Sequence, residues 1–263
     1  TVADPAAAAH RLTGLDVLAI EDDASPRGRV TVGLWEPPLT EHLGENDAPV
    51  RRAASSETAD LLTDLVVEGV RSLAFIRSRR GAEQVAMTSS ALLEEVDPSL
   101  AGRVAAYRGG YLPEERREIE QRLRSGELLG LAATNALELG IDVSGLDAVL
   151  VAGFPGTRAA FWQQVGRAGR GAQDAAALLV ARDDPLDTYL VHHPESLFGR
   201  PVEATVFDPT NPYVLGPHLA AAAQERPLTR ADLAAYWPGA EPVVDDLVAR
   251  GLLRKRPHGW FWT

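Results

Sequence analysis

Between residues 72 and 181, short apolar runs alternate with stretches of helical period, and this alternation narrows the possible folds more than any other feature of the chain. The runs fall at 72–76, 104–107, 128–132, 148–152 and 176–181. Each is near-continuously apolar, as expected of strands buried on both faces. Helical stretches between most of them leave room for crossover connections, so the strands should form a parallel sheet covered by helices on both faces. In such α/β sheets ligands gather beyond the carboxyl ends of the strands. The polar motifs that come after these runs are expected there.

The regions on either side obey different rules. Residues 1–50 read as a loosely organised segment with two short strands, 15–20 and 30–35, around the turn-rich stretch 22–28. Pro37, Pro38 and Pro49 interrupt the stretch after the second of these. Leu61, Leu62, Leu65, Val66 and Val70 then recur at helical spacing and open a domain expected over 51–207. After the turn-rich stretch 208–212 come candidate helices at 213–224, 229–236 and 242–250 and a candidate hairpin, 252–255 with 260–262. Three helices and a hairpin over 208–263 suggest a small winged-helix-like α+β domain. Thr229 with Asp232 has the form of a helix start, and Pro257, His258 and Gly259 that of a hairpin turn. Arg254, Lys255 and Arg256 beside Trp260, Phe261 and Trp262 read either as a wing that meets nucleic acid or as core aromatics with a solvated edge.

Composition excludes several chemistries. With no cysteine there are neither disulfides nor thiolate metal sites, and the 6 histidines are scattered except for His192 and His193, so no metal site is expected. No run reaches the roughly 18 apolar residues of a membrane span, and the alanines at 6–9 are too few for a signal peptide. A cytoplasmic protein is the expectation. Lys255 is the single lysine and is followed by Arg256, so no phosphate-binding P-loop of the G-x-x-x-x-G-K-[ST] form is present. A net charge of −11 repels a polyanion, so any nucleic-acid footprint must be local.

Two segments carry recognisable chemistry. In LAATNALELGIDV, residues 131–143, a buried run leads into Thr134 and Asn135, and Gly140 allows a tight turn that presents Asp142. In isolation this is an ordinary strand and helix with a capping Asp. In FWQQVGRAGR, residues 161–170, Gly166 and Gly169 remove side chains beside Arg167 and Arg170. Two guanidinium groups so placed suit a phosphate chain, because they bind its oxygens bidentately and stay charged when partly buried. A solvated arginine pair would explain neither the glycines nor Gln163.

In this order and spacing the two segments resemble motifs V and VI of superfamily-two helicases. SLAFIRSRR at 72–80 resembles motif IV, and AYRGGYLPEERRE at 106–118 resembles the glycine turn before a helix that lies between. TVADP at 1–5 and the stretches 181–203 and 208–219 are similar to the YprA-type branch of DNA helicases. The resemblance implies a second RecA-like motor domain and assigns roles residue by residue. Arg170 would be the arginine finger, Arg167 a second γ-phosphate contact, and Gln163 a polar group that senses or orients the phosphate, with the role of Gln164 open. Gly140 and Asp142 would lie near the nucleotide. Arg77, Ser78, Gly109, Gly110 and Thr134 would contact the backbone of a single DNA strand, independently of sequence.

The first RecA-like domain of the same polypeptide would hold the P-loop and the acidic Mg²⁺ motif, and this chain contains no Asp-Glu dipeptide. Thr1 resembles the last residue of motif III, which would make the chain the C-terminal motor half of a longer protein. ATP and Mg²⁺ would then bind only in that intact protein, and the chain alone would not hydrolyse ATP. The resemblance further implies 3′-to-5′ unwinding of DNA, in DNA repair. A double-strand translocase that does not unwind, or a non-catalytic interaction module, are the alternatives that the residues leave open.

Overall fold

The computed structural model describes residues 2–22, 24, 28–135, 146–169, 173–204, 206 and 208–263. It divides into two compact units, Thr1–Ala204 and Thr205–Thr263.

The first unit opens with α1 (Pro5–Thr13), capped by the Asp4 carboxylate, which accepts the Ala7 N–H at 2.9 Å, and closed by Gly14 in the left-handed region. Residues 15–20, expected as a strand, form none. Leu15, Leu18 and Ile20 are all largely exposed. Alternation of apolar residues is a necessary sign of a strand, but a strand also needs a neighbour to pair with. The other expected strand, β1 (Val30–Trp35), pairs in parallel with residues 175–180 and so belongs to the main sheet rather than to a separate N-terminal segment. Across the proline-rich gap, β2 (Leu39–Leu43) and β3 (Pro49–Arg51) form a small antiparallel pair.

Helix and strand then alternate through α2 (Ala54–Val67), β4 (Ser72–Phe75), α3 (Arg79–Val96), β5 (Val104–Tyr107), α4 (Pro113–Ser125), β6 (Gly130–Ala133), β7 (Ala148–Ala152), α5 (Arg158–Val165), β8 (Ala175–Val180) and α6 (Pro185–His192). The six strands of the main sheet lie in the order β1-β8-β7-β4-β6-β5, and every pair is parallel. This is the parallel α/β sheet that the alternation implied.

The two-residue period of the strands sorts the core into faces. Ala74, Ile76, Ala132, Leu150 and Ala152 face one way and pack on Leu62 of α2 and Val85 of α3. Leu73, Phe75, Leu131, Val149, Val151 and Leu179 face the other and pack on Leu123 of α4, Phe161 of α5 and Leu190 of α6. With both faces covered there is no room for alternation with polar residues, and the strands read as the continuous apolar runs seen in the sequence.

The second unit is built from α7 (Pro212–Glu225), α8 (Arg230–Tyr236), α9 (Glu241–Ala249) and the antiparallel pair β9 (Leu253–Arg256) and β10 (Gly259–Trp262). Leu219, Leu233, Val244, Leu247, Leu253 and Trp260 form its core. The helix start at Thr229 is a reciprocal cap: the Asp232 N–H donates to Thr229 Oγ1 at 3.2 Å, and the Thr229 N–H donates to Asp232 Oδ2 at 2.8 Å. The hydroxyl and N–H of Thr229, with the Arg226 guanidinium, hold the Asp232 carboxyl below its ordinary range. Leu228 exchanges backbone hydrogen bonds of 2.9 and 2.8 Å with Trp260, adding a third short strand segment to the hairpin.

Candidate functional site

Because the sheet is parallel, the loops that leave β4, β6 and β5 emerge at one edge and from three neighbouring strands. β4 delivers Arg77 and Ser78, both exposed. Ser78 Oγ caps α3 by accepting the Gly81 N–H at 3.0 Å, which fixes the loop and leaves the hydroxyl proton free to donate outward. β5 delivers the exposed turn Gly109-Gly110, flanked by Arg108, which pairs with Glu83 at 2.7 Å and lies 4.8 Å from the centre of the Tyr111 ring. Beneath the turn the phenol of Tyr107 donates to Glu120 of α4 at 2.9 Å. Burial, and then the Glu120 carboxylate, push this phenol up to about 12, so it stays a donor at any working pH and pins α4 to β5. β6 delivers Thr134, which is only 6% exposed, and then Asn135.

A cavity of about 140 Å³ opens at this carboxyl edge, lined by Ile76, Arg77, Asn135, Gly153, Pro155 and Gln164 among others. It brings together the end of β4, the loop after β6 and helix α5. Asn135, to which the motifs assign no role, and Gln164, whose role they leave open, thus join the site. The one legible signal for Asn135 is its place directly after Thr134 at the end of a buried run.

Helix α5 carries the second motif, and its start is strongly fixed. Thr157 Oγ1 accepts the Ala160 N–H at 3.1 Å, while the Glu203 carboxylate accepts the N–H groups of Arg158 and Ala159 at 2.9 and 3.1 Å. Burial acts to raise the Glu203 pKa, but these donors and the Arg158 guanidinium outweigh it and hold the group below its ordinary value. Fully buried Phe161 anchors the helix, in ring contact with Phe154 and Trp162, and Trp162 in turn meets Phe198.

The far end of α5 corrects the sequence-based placement. Ala168 forms a parallel bridge with Leu146, just before β7, and the Gly169 N–H donates to the Leu146 carbonyl at 3.2 Å. Arg167 and Gly169 therefore lie at the amino edge of the sheet, opposite the carboxyl edge where the motif was expected. A helix that follows one parallel strand must run back before the next begins, so its last residues end near the start of the next strand. Gly169 adopts φ +73°, and a Cβ there would stand 3.1 Å from Val30, at the start of β1. Arg167 is 8% exposed, Gln164 is 4% exposed and Gln163 is half-buried. The Gln164 side chain points back towards the carboxyl-edge cavity, as side chains tilted towards the helix N-terminus do. Gly140, Asp142 and Arg170 lie outside the described residues.

A brace that the sequence does not disclose holds the neighbouring loops. Asp187, fully buried, accepts the backbone N–H groups of Phe154 and Arg182 at 3.1 and 2.9 Å and two bonds from the Arg182 guanidinium, each of 3.2 Å. It ties the loop after β7 to that after β8. Gly153, at φ +81°, makes room for Arg182, whose Nε would be 2.4 Å from a Cβ at that position.

In the second unit the hairpin register separates the two readings of the aromatic cluster. Lys255 stands opposite Trp260, which is buried, whereas Arg254 stands opposite Phe261 on the other face. Trp260 is core. Arg254, Lys255 and Arg256 are all exposed.

Residues 57–172 match the helicase conserved C-terminal domain family, and residues 207–263 match the winged helix domain of the ATP-dependent helicase HRQ1. The chain is 35% identical over its whole length to the ATP-dependent helicase YprA of Bacillus subtilis, covering 34% of that protein. Over 81% of its length it is 39% identical to the ATP-dependent helicase HRQ1 of Saccharomyces cerevisiae, covering 20% of it. The crystal structure of the DUF1998 helicase MrfA bound to DNA and AMPPNP matches the whole chain with a TM-score of 0.84 at 34% identity, the chain covering 36% of that structure. The chain thus spans about a third or less of the relatives it matches. On its two matched domains, its sheet and these relatives, the chain belongs to the superfamily-two helicases, on the branch of YprA and HRQ1, as a RecA-like helicase C-terminal domain followed by a winged helix domain.

Proposed function

We propose that the chain is the C-terminal motor half of an ATP-dependent DNA helicase, which grips one DNA strand at the carboxyl edge of its sheet and completes the ATP site from the amino edge. The observation that carries this reading is that Arg77 with Ser78, Gly109 with Gly110, and Thr134 leave one edge from the adjacent strands β4, β5 and β6. An exposed guanidinium, a hydroxyl and a bare glycine turn recognise phosphates without reading bases.

The amino edge fits a nucleotide's phosphates. Arg167, nearly buried, keeps its charge where an ammonium would tend to lose it. Arg170 acts as the finger and Arg167 as the second cation, both meeting charge that develops on the γ-phosphoryl oxygens, while Gln163 orients that phosphate. Gly140 and Asp142 border the nucleotide. The P-loop and the ligands of Mg²⁺ belong to the first RecA-like domain of the same polypeptide, outside this chain. Closure of the cleft on ATP and its reopening after hydrolysis move the DNA strand. Movement is assigned 3′ to 5′, and the setting is DNA repair in the cytoplasm.

The test is a coupled assay on the intact protein with a 3′-tailed duplex, recording ATP turnover and strand separation together. Both are expected. DNA-stimulated turnover without separation would move the protein to the duplex translocases, and no stimulation by any DNA would remove the motor reading.

A further inference from the structure

The second unit holds an arrangement of charge that the motor does not use. Residues 205–263 contain as many acidic as basic side chains, so the whole net charge of −11 resides in residues 1–204. Within the second unit the two signs are segregated. Residues 247–263 include no carboxylate side chain, and Arg254, Lys255 and Arg256 stand consecutively on β9, all exposed. Among the described residues none of the three forms an ion pair. The second helix of a helix-turn-helix is the one that enters the major groove in proteins that read DNA this way. Here that helix is α9, and it exposes Glu241, Asp245 and Asp246, the last paired with Arg250 at 3.3 Å. A groove lined by phosphates would repel such a surface.

We propose that the β9–β10 hairpin, and not α9, is the nucleic-acid contact of the winged helix unit, binding the phosphate backbone without regard to sequence. The pleat supplies the geometry. Arg254 and Arg256, two positions apart, project from one face of the hairpin about 7 Å apart along the strand, a spacing that successive phosphates of an extended strand can meet. Phe261, directly opposite Arg254, shares that face and is half-buried, which leaves part of its ring as a platform beside the arginines. The other face points inward: Leu253 and Trp260 are in the core, while Lys255, opposite Trp260, stays exposed. Buried Trp260 and its backbone bonds to Leu228 keep the hairpin rigid while the outer face stays open.

The proposal rests on the DNA-motor reading only for the identity of the polyanion, and its test reads binding rather than turnover. Fluorescence anisotropy on the whole chain with a labelled oligo-dT, over a series of salt concentrations, is compared for the wild type, the triple variant Arg254→Ala/Lys255→Ala/Arg256→Ala, and Arg254→Lys/Arg256→Lys. The triple variant should bind about tenfold more weakly at low salt, and its slope of log affinity against log salt should be shallower by about 2, since each phosphate neutralised on a single strand contributes ~0.7. The lysine pair should keep most of the affinity, since it keeps the charge, and a mixed-sequence oligonucleotide should bind within about twofold of oligo-dT. Wild-type affinity and slope in the triple variant would overturn the proposal, whatever an Arg77→Ala variant does to the motor. Equal weakening in the lysine pair and the triple variant would overturn it as well, because damage to the fold rather than removal of charge would then be the cause.

Discussion

The two edges of the main sheet differ in every respect that matters for a motor. At the carboxyl edge Arg77, Ser78, Gly109 and Gly110 are exposed on short turns, and a cavity opens between Arg77 and Gln164 of α5. At the amino edge the chain is closed: Arg167 is 8% exposed, Ala168 is bridged to Leu146, and Gly169 is held at φ +73° against Val30. A polymer that advances past a surface needs open, sequence-blind contacts. Charge that appears on one atom for the lifetime of a transition state needs cations already in place. In the proposed motor one sheet serves both needs, because a strand and its returning helix end at opposite edges; α5 links them, with Gln164 lining the cavity at one and Arg167 at the other.

The largest effect expected from breaking this division is at Arg170. In the intact protein Arg170→Ala should lower DNA-stimulated ATP turnover by about 10³-fold or more, with DNA affinity nearly unchanged. Arg170→Lys should recover little, because an ammonium lacks the planar two-point contact. Steady-state rates decide this, and near-normal turnover in the alanine variant would overturn the finger assignment.

A smaller effect is expected at Glu203, which caps the start of α5. A carboxylate at a helix N-terminus contributes about 0.3–1 kcal/mol, and Glu203→Gln should cost no more than that in a thermal melt. The sign with pH follows from the lowered pKa. The folded state holds the ionised form more tightly, so its contribution is complete above the ordinary value of 4.5 and is lost as pH falls through the lower folded value. The difference in melting temperature between wild type and Glu203→Gln should therefore shrink below pH 4.5. A difference that stays constant into acid would show that the carboxylate does not act through its charge.

The strands were legible in the sequence because burial on both faces leaves nothing but apolar side chains at 72–75, 130–133 and 148–152, apart from the small residues at their starts. The helix start at Thr229 and the hairpin turn after Arg256 were legible because their signals are local. The features that escaped depend on distant partners. Nothing near residues 30–35 announces a pairing with residues 175–180, and nothing near 15–20 announces that they form no strand among the described residues. Asp187 and Glu203 carry no local signal of their roles, because only the fold brings the N–H groups of Phe154 and Arg158 to them. The motif at 161–170 was recognisable by residue type alone, but the edge at which Arg167 lies depends on the direction of the returning helix, which sequence spacing does not express.

The division between the two edges is tested most directly by a cross-comparison in the intact protein. Arg77→Ala and Arg167→Ala are each measured for DNA affinity without nucleotide and for ATP turnover at saturating DNA. Arg77→Ala should weaken DNA binding severalfold and leave saturated turnover near the wild-type value, whereas Arg167→Ala should leave DNA affinity within about twofold and lower turnover by about 10²-fold or more. If both variants lowered affinity and turnover in the same proportion, the two edges would not act separately and the division of labour between them would be contradicted.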